Sequence, residues 1–297
     1  MKTALITGST GYLGKHLIPV LHKLNILCRV SNTTEGNLLK YKNLKQFNNI
    51  DFDYIFHLAA YTKAGDFCLF HPYDQWLIND KINHNIIRYW VENQPQAKFI
   101  GMGTSCSYDP NLPMIEENYL DGKLDKDLFA YATTKRTMLV GLQAAYKQWG
   151  LNYLYFIPST IYGPNFTRND NHFIYDIVRK IKHAKETNTK AVLWGSGFQS
   201  RDLVYITDVI NAMIKATITD NLPNEIINLS SGVSMSIGNY AIKICKLLDF
   251  DFKNVIFNQS AYQGVWHKKL IIDKAKKLGL LDNITDFDLG ILNLLSC

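Results

Sequence analysis

Apolar positions in the first half of the chain alternate between two periods. Short unbroken runs cover Lys2 to Thr7, Ile26 to Val30, Tyr54 to Ala60, Lys98 to Met102 and Asn152 to Ile157, and read as strands. Between them Leu13 to Leu24, Asp74 to Asn93 and Leu128 to Trp149 repeat apolar residues at helical spacing. Such alternation predicts right-handed crossovers and a parallel sheet covered on both faces, so the fold class is α/β, a doubly wound Rossmann-type sheet. Pro19 lies inside the first helical stretch, where its missing N–H costs on the order of 3 kcal/mol, and a bend is expected there rather than a helix end. From Pro164 the pattern loosens, and loops rich in Asn, Gly and Ser interrupt Phe173 to Lys185, Ala191 to Trp194 and Ile237 to Leu248. Residues 1–163 are read as mainly dinucleotide-binding and 164–297 as a smaller, mainly substrate-binding region with some segments returning to the sheet.

Composition narrows the class. The 297 residues carry 47% hydrophobic and 20% charged side chains, which excludes a disordered or collagen-like chain. No apolar run approaches the roughly 20 residues of a membrane span. The chain enters a strand-like run at once, leaving no room for a signal peptide, so a cytoplasmic protein without a membrane partner is expected. Five cysteines (Cys28, Cys68, Cys106, Cys245, Cys297) are odd in number and contain no Cys-x-x-Cys pair, which argues against a disulfide framework and against a metal site. Lys+Arg 32 against Asp+Glu 26 gives +6, a balance that suits an anionic small molecule as well as a nucleic acid and does not decide between them.

The glycine loop decides more. Thr7-Gly8-Ser9-Thr10-Gly11-Tyr12-Leu13-Gly14 follows the first strand and opens the first helix. Gly8, Gly11 and Gly14 have the spacing that gives a tight turn, a close approach of backbone to a pyrophosphate and close packing of helix on strand, with the diphosphate at the positive helix end. Dinucleotide folds often hold the adenosine ribose with an acid after the second strand. That place falls at Asn32, whose neutral amide does not repel a 2′-phosphate, and this tilts the cofactor from NAD toward NADP. Arg29 could add charge there, although ordinary exposure explains it equally well.

Tyr131 and Lys135 are four residues apart on a helical pattern and therefore share a face, where an ammonium can favour the tyrosinate and ease proton exchange. Upstream, Gly101-Met102-Gly103-Thr104-Ser105-Cys106 follows a strand, which brings its hydroxyls out at the carboxyl edge of the sheet, where α/β proteins bind ligands.

With these in hand the sequence resembles the extended short-chain dehydrogenase/reductases, the nucleotide-sugar epimerase/dehydratase family, over nearly the whole chain. The glycine motif, His57-Leu58-Ala59-Ala60, Thr104, Tyr131 with Lys135, Tyr162-Gly163-Pro164, Arg201-Asp202 and the closing Asp273 to Gly279 fall in family order. Gly103 to Tyr108, Pro113 to Glu117, Asn171-His172, Val192 to Gly197 and the short stretch Asn32 to Leu39 are similar to the GDP-fucose synthase-like branch, which epimerises and reduces GDP-4-keto-6-deoxy sugars. The resemblance implies that Tyr131 protonates the sugar O4, Lys135 steadies the nicotinamide ribose, and Thr104 hydrogen-bonds the carbonyl oxygen. It matches Cys106 and His172 to the pair that moves protons at C3 and C5. It gives the cofactor, NADP with NAD also open, to Gly8, Thr10, Gly11, Tyr12, Leu13, Gly14, Asn32, Leu58, Ala59, Ala60, Tyr131, Lys135, Pro158 and Thr160. It gives the substrate to Ser105, Asn171, His172, Trp194, Arg201 and Lys268, with Lys269 beside the last. Trp194 reads equally as core, and for the two lysines solvated surface outweighs a place in the site.

Thr160 departs from the branch, which has Asn beside Pro158-Ser159. No carboxylate follows the catalytic hydroxyl before Asp109, so a 4,6-dehydratase, which needs an Asp-Glu pair there, is not expected. An NAD-dependent 4-epimerase shares the Tyr/Lys machinery and remains an alternative. A non-catalytic dinucleotide-binding regulator is the alternative of another class, opposed by the joint presence of Tyr131, Lys135 and Thr104. The resemblance further implies a homodimer and no nucleic-acid partner.

Overall fold

The computed structural model describes residues 1–63, 67–165, 172–219, 222, 224–261 and 264–296. The first half runs β1 (Thr3–Thr7), α1 (Tyr12–Lys23), β2 (Leu27–Ser31), β3 (Tyr54–His57), α2 (Phe67–Phe70), α3 (Pro72–Asn93), β4 (Lys98–Met102), α4 (Phe129–Trp149) and β5 (Tyr153–Pro158). It continues with β6 (Thr160–Tyr162), α5 (Phe173–Thr187), β7 (Ala191–Trp194), β8 (Ser200–Tyr205), α6 (Ile206–Ile218), β9 (Glu225–Leu229) and β10 (Ser234–Ser236). The chain closes with α7 (Ile237–Leu247), β11 (Val255–Asn258), α8 (Asp273–Lys277) and α9 (Phe287–Leu295).

Six strands form one parallel sheet in the order β2-β1-β3-β4-β5-β9. Its central strands are apolar without alternation because helices cover both faces: Leu5, Ile6, Ile55, Phe56, Phe99, Ile100, Leu154 and Phe156 are all fully buried. The last strand of this sheet, β9, comes from beyond residue 164 and pairs with β5, while α6 packs against α1. Two small sheets, β10-β8-β6 and β11-β7, stand beside it. Helix α1 runs on through Pro19 to Lys23, so the proline does not end it.

The apolar run expected over Tyr54 to Ala60 leaves the sheet after His57. Leu58 to Ala60 instead form the shelf on which the glycine turn rests: Gly8 has φ +69°, and a Cβ there would lie 2.7 Å from the Ala59 nitrogen. A Cβ on Gly14 would lie 2.6 Å from the Gly8 carbonyl oxygen. Glycine is therefore required at both positions by contact.

Beneath the shelf runs a continuous polar relay. The Ala59 N–H donates to Thr7 Oγ1 at 3.2 Å, the Thr7 hydroxyl lies 2.8 Å from His57 Nδ1, and His57 Nε2 lies 3.0 Å from Asn83 Oδ1. Asn83 Nδ2 then donates to the Thr134 carbonyl at 3.1 Å. The relay assigns a neutral imidazole with Nδ1 as acceptor and Nε2–H as donor. It joins β1, β3, α3 and α4 through groups that would be costly to bury unpaired. Asn79, one turn before Asn83 on α3, clamps both backbone groups of Tyr61, its Oδ1 accepting at 2.8 Å and its Nδ2 donating at 2.9 Å.

Candidate active site

The segment after β4 is held against α4 at several points. Gly103 N–H donates to the Phe156 carbonyl at 2.7 Å, and a Cβ on Gly103 would lie 2.7 Å from the Tyr155 ring and 2.8 Å from the Tyr119 hydroxyl. Thr104 caps the 3₁₀ turn Ser105–Ser107, its Oγ1 accepting from the Cys106 N–H at 3.3 Å, while its own N–H donates to the Tyr119 hydroxyl at 3.3 Å. Ser107 Oγ donates to the Ala132 carbonyl at 3.1 Å, and Arg136 Nε donates to the Ser107 carbonyl at 2.8 Å. These bonds bring Thr104 and Cys106 beside the face of α4 that carries Tyr131 and Lys135.

Lys135 is buried, its Nζ donating to the Met102 carbonyl at 2.8 Å, and the ammonium lies 5.8 Å from the centre of the Tyr131 ring. Burial lowers its pKa to about 8. At Tyr131 the surroundings act against the tyrosinate that the Tyr-x-x-x-Lys spacing favours. Burial, reinforced by Cys106, Tyr119 and Cys68 nearby, drives the Tyr131 pKa well above its ordinary value, and only the Thr62 side chain acts in the other direction. The first cause is burial of the phenol itself, while the Lys135 ammonium is engaged by the Met102 carbonyl.

Cys106 behaves oppositely. Burial pushes its thiol up, but the Lys268 charge and hydrogen bond, the Thr104 hydroxyl and the Arg201 charge outweigh it, and the pKa falls below the ordinary thiol value. Lys268 Nζ stands 3.1 Å from Cys106 Sγ. Of the expected substrate residues, Lys268 and Arg201 thus reach the site, and Ser105 lies buried in the same turn. Lys269 is exposed to solvent. Trp194, on β7, is 44% exposed with the Lys180 ammonium 5.1 Å from its ring centre, which rules out the core reading. His172 caps α5, its carbonyl accepting from the Tyr175 and Asp176 N–H groups. Asn171 lies outside the described residues.

The cofactor candidates gather at the carboxyl edge of the main sheet. Gly11 caps α1 without any side-chain hydrogen bond, and no acidic residue occupies the first turn, so the N–H groups of Tyr12, Leu13 and Gly14 form an uncapped positive end beside Thr10. Leu58, Ala59 and Ala60 adjoin Gly8, Pro158 closes β5 and Thr160 opens β6. The Tyr12 side chain turns away toward the second half of the chain, where a Cβ on Gly163 would come within 3.0 Å of its hydroxyl. Asn32 uses its Oδ1 to accept from the Thr34 and Glu35 N–H groups at 2.8 and 2.9 Å. Among the described residues no cluster of three metal-ligating side chains occurs, and no helix is long and apolar enough to cross a membrane.

Several groups at this site carry no sequence motif. Tyr119, Cys68 and Thr62 are found only by three-dimensional proximity, as are Ser230 and Leu270, the partners of Asp202, although Arg201-Asp202 itself falls in family order. The amides Gln75, Asn79 and Asn83 do leave a trace, a repeat of four on one face of a helix, with buried polar side chains where a core stripe would be apolar.

The NAD dependent epimerase/dehydratase family matches residues 4–230. The chain is 30% identical over 239 residues to a GDP-L-fucose synthase of Sinorhizobium fredii, covering 79% of this chain and 72% of the relative. It is 28% identical over 303 residues to the GDP-L-fucose synthase of Escherichia coli, covering 94% and 91%. The crystal structure of a GDP-L-fucose synthetase from Naegleria fowleri bound to NADP superposes with a TM-score of 0.84 at 24% identity, over 99% of this chain and 92% of that one.

Proposed function

The chain belongs to the NAD dependent epimerase/dehydratase family, and from that premise we propose that it is an NADPH-dependent oxidoreductase that reduces a GDP-linked 4-keto-6-deoxy sugar at C4 after epimerisation at C3 and C5. The observation that carries this reading is the convergence of a protonated phenol, Tyr131, with a cationic thiol site, Cys106 with Lys268 and Arg201, on one edge of the sheet. Reduction of a ketone and exchange of protons on its neighbouring carbons need these two kinds of group, an acid that gives a proton and a base that takes one.

The uncapped first turn of α1 and the cradle of Gly8 and Gly14 fit a dinucleotide diphosphate, with Leu58 to Ala60 beside it. NADPH bound there supplies a hydride to C4. Tyr131 delivers the proton to O4. Thr104, whose hydroxyl favours the Cys106 thiolate in the free protein, is assigned to turn its proton to the carbonyl oxygen of the bound ketone. Lys135, tied to Met102 with its ammonium 5.8 Å from the centre of the Tyr131 ring, is assigned to steady the nicotinamide ribose. Cys106 removes the acidic proton beside the ketone, and His172 is assigned as its partner. The Arg201 guanidinium has the forked donors that suit the substrate diphosphate. Trp194, exposed on β7, is assigned to the nucleoside.

We also assign residues 164–297 mainly to substrate binding and α3 with α4 to a homodimer interface. The latter rests on Tyr73, Trp76, Leu77, Val140, Tyr146 and Trp149, which are exposed on those two helices. A panel of 4-keto sugar nucleotides assayed for NADPH oxidation tests the reaction: stoichiometric consumption with a GDP-linked substrate is expected. Interconversion of C4 epimers without net consumption would replace it with a 4-epimerase.

A further inference from the structure

We propose that Lys268 is the positioning residue that sets the protonation state of Cys106, the two forming an ammonium–thiolate pair before substrate arrives. The inference deepens the reading above, on which it rests for the identity of the proton moved but not for the pair itself. Three observations carry it.

Lys268 Nζ reaches Cys106 Sγ at 3.1 Å across 162 residues of sequence. Its backbone is fixed on both sides, the Lys268 N–H donating to the Ser200 carbonyl at 3.1 Å and the Lys268 carbonyl accepting from Ser234 Oγ at 3.1 Å. Two residues on, buried Asp202 accepts from the Leu270 N–H and from Ser230 Oγ, both at 2.7 Å, and Leu270 is fully buried. The strand-like segment is thereby held in one register, which sends Lys268 inward to the thiol and leaves Lys269 in solvent.

The groups around the sulfur agree in sign. Lys268 and Arg201 are the cations acting on Cys106, and the Thr104 hydroxyl donates to it. Cys68 and Tyr131 are its acidic neighbours, and burial keeps both protonated. The carboxylate facing Lys268 is Asp202, whose Oδ2 is already engaged by Ser230 and Leu270. With its Nζ 3.1 Å from the sulfur, the ammonium favours the thiolate, the form that acts as a base.

The test uses the full-length protein without substrate. The rate of iodoacetamide alkylation at Cys106 is followed against pH by peptide mass spectrometry, which reads Cys68 separately. The midpoint for Cys106 is expected below the ordinary thiol value of about 8.5. Lys268→Met should raise it by about one unit, slowing alkylation at pH 7 about tenfold, and Lys268→Arg should restore most of the rate. An unchanged midpoint in Lys268→Met, or a parental midpoint at or above the ordinary value, overturns the proposal. Deuterium incorporation at C3 and C5 gives the second readout: in Lys268→Met it should fall at pH 7 and recover near pH 9, where a thiol ionises unaided. A loss that persists at high pH with a raised KM would restrict Lys268 to substrate binding and reject the pair. If the alkylation shift is found but no 4-keto sugar is turned over, the pair stands and the proposed reaction fails.

Discussion

His57 ends β3, Cys106 lies in the turn that follows the neighbouring strand β4, and burial is the strongest influence on the proton affinity of each. Burial opposes charge at both. At His57 nothing outweighs it: the hydrogen bond with Asn83 is a smaller, opposing influence, the Lys135 charge adds to burial, and the imidazole stays neutral with its pKa lowered to about 3. At Cys106 two cations and a hydroxyl reverse the sign. The first cluster is scaffold, each donor matched to one acceptor. The second sets cations against a buried thiol, and a group whose proton affinity is shifted in that way is one that a reacting substrate can use. The difference separates a buried polar network that specifies the fold from one that prepares chemistry.

The largest expected effect is on the chemical side. Tyr131→Phe removes the proton that burial holds on the phenol, and turnover should fall by about 10³ or more, the upper range for loss of a general acid. NADPH affinity measured by fluorescence titration should change little. Normal turnover in the variant would show that the protonated phenol is a structural group like His57.

The next effect is on the scaffold side. His57→Ala orphans the Thr7 hydroxyl and Asn83 Oδ1 in a fully buried place and leaves a cavity, so urea unfolding should lose about 3 to 4 kcal/mol. A loss below about 1 kcal/mol would mean the relay contributes no more than an ordinary exposed contact.

The same residue predicts a pH dependence. The folded pKa of His57 lies near 3, below the ordinary value of 6.5, so between these values the unfolded chain binds the extra proton. Stability is then complete above about pH 6.5 and falls as pH drops toward 3, by about 1.4 kcal/mol per unit for one proton. His57→Gln retains one acceptor and one donor without titrating. Subtracting its urea stability from that of the parent should isolate a one-proton slope in this window, and parallel curves would refute the neutral relay. Lys135, lowered to about 8, titrates in a separate window between that value and its ordinary 10.5.

Legibility in the sequence follows the same division. The central sheet is legible because strands buried on both faces must be apolar without interruption, and the run Lys98 to Met102 coincides with β4 residue for residue. The strand β8 is not, because Ser200, Arg201 and Asp202 open it with polar side chains, and Ser230 and Leu270, the partners of Asp202, are 28 and 68 residues away. Spacing put Tyr131 beside Lys135 but could not show that the Met102 carbonyl engages the ammonium, since that depends on where β4 ends against α4. Lys268 and Lys269 are chemically identical in sequence. Only the clamps at Ser200, Ser234 and Asp202 tell them apart, and those are tertiary facts.

The smallest expected effect places a charge where neither cluster's burial applies. Asn32 follows β2 on a half-buried turn, and its Oδ1 already accepts from Thr34 and Glu35. Asp at this position can make the same turn, so Asn32→Asp should leave the fold and kcat intact while presenting a carboxylate to a 2′-phosphate. Water screens such a pair, and a penalty of about 1 kcal/mol is expected, a rise in KM for NADPH of about fivefold with little change for NADH. The penalty should shrink with added salt, as an exposed interaction must, whereas the Cys106–Lys268 pair should be nearly insensitive to it. Equal salt dependence at the two places would erase the distinction between exposed and enclosed charge, and an unchanged preference for NADPH would remove Asn32 from the cofactor site.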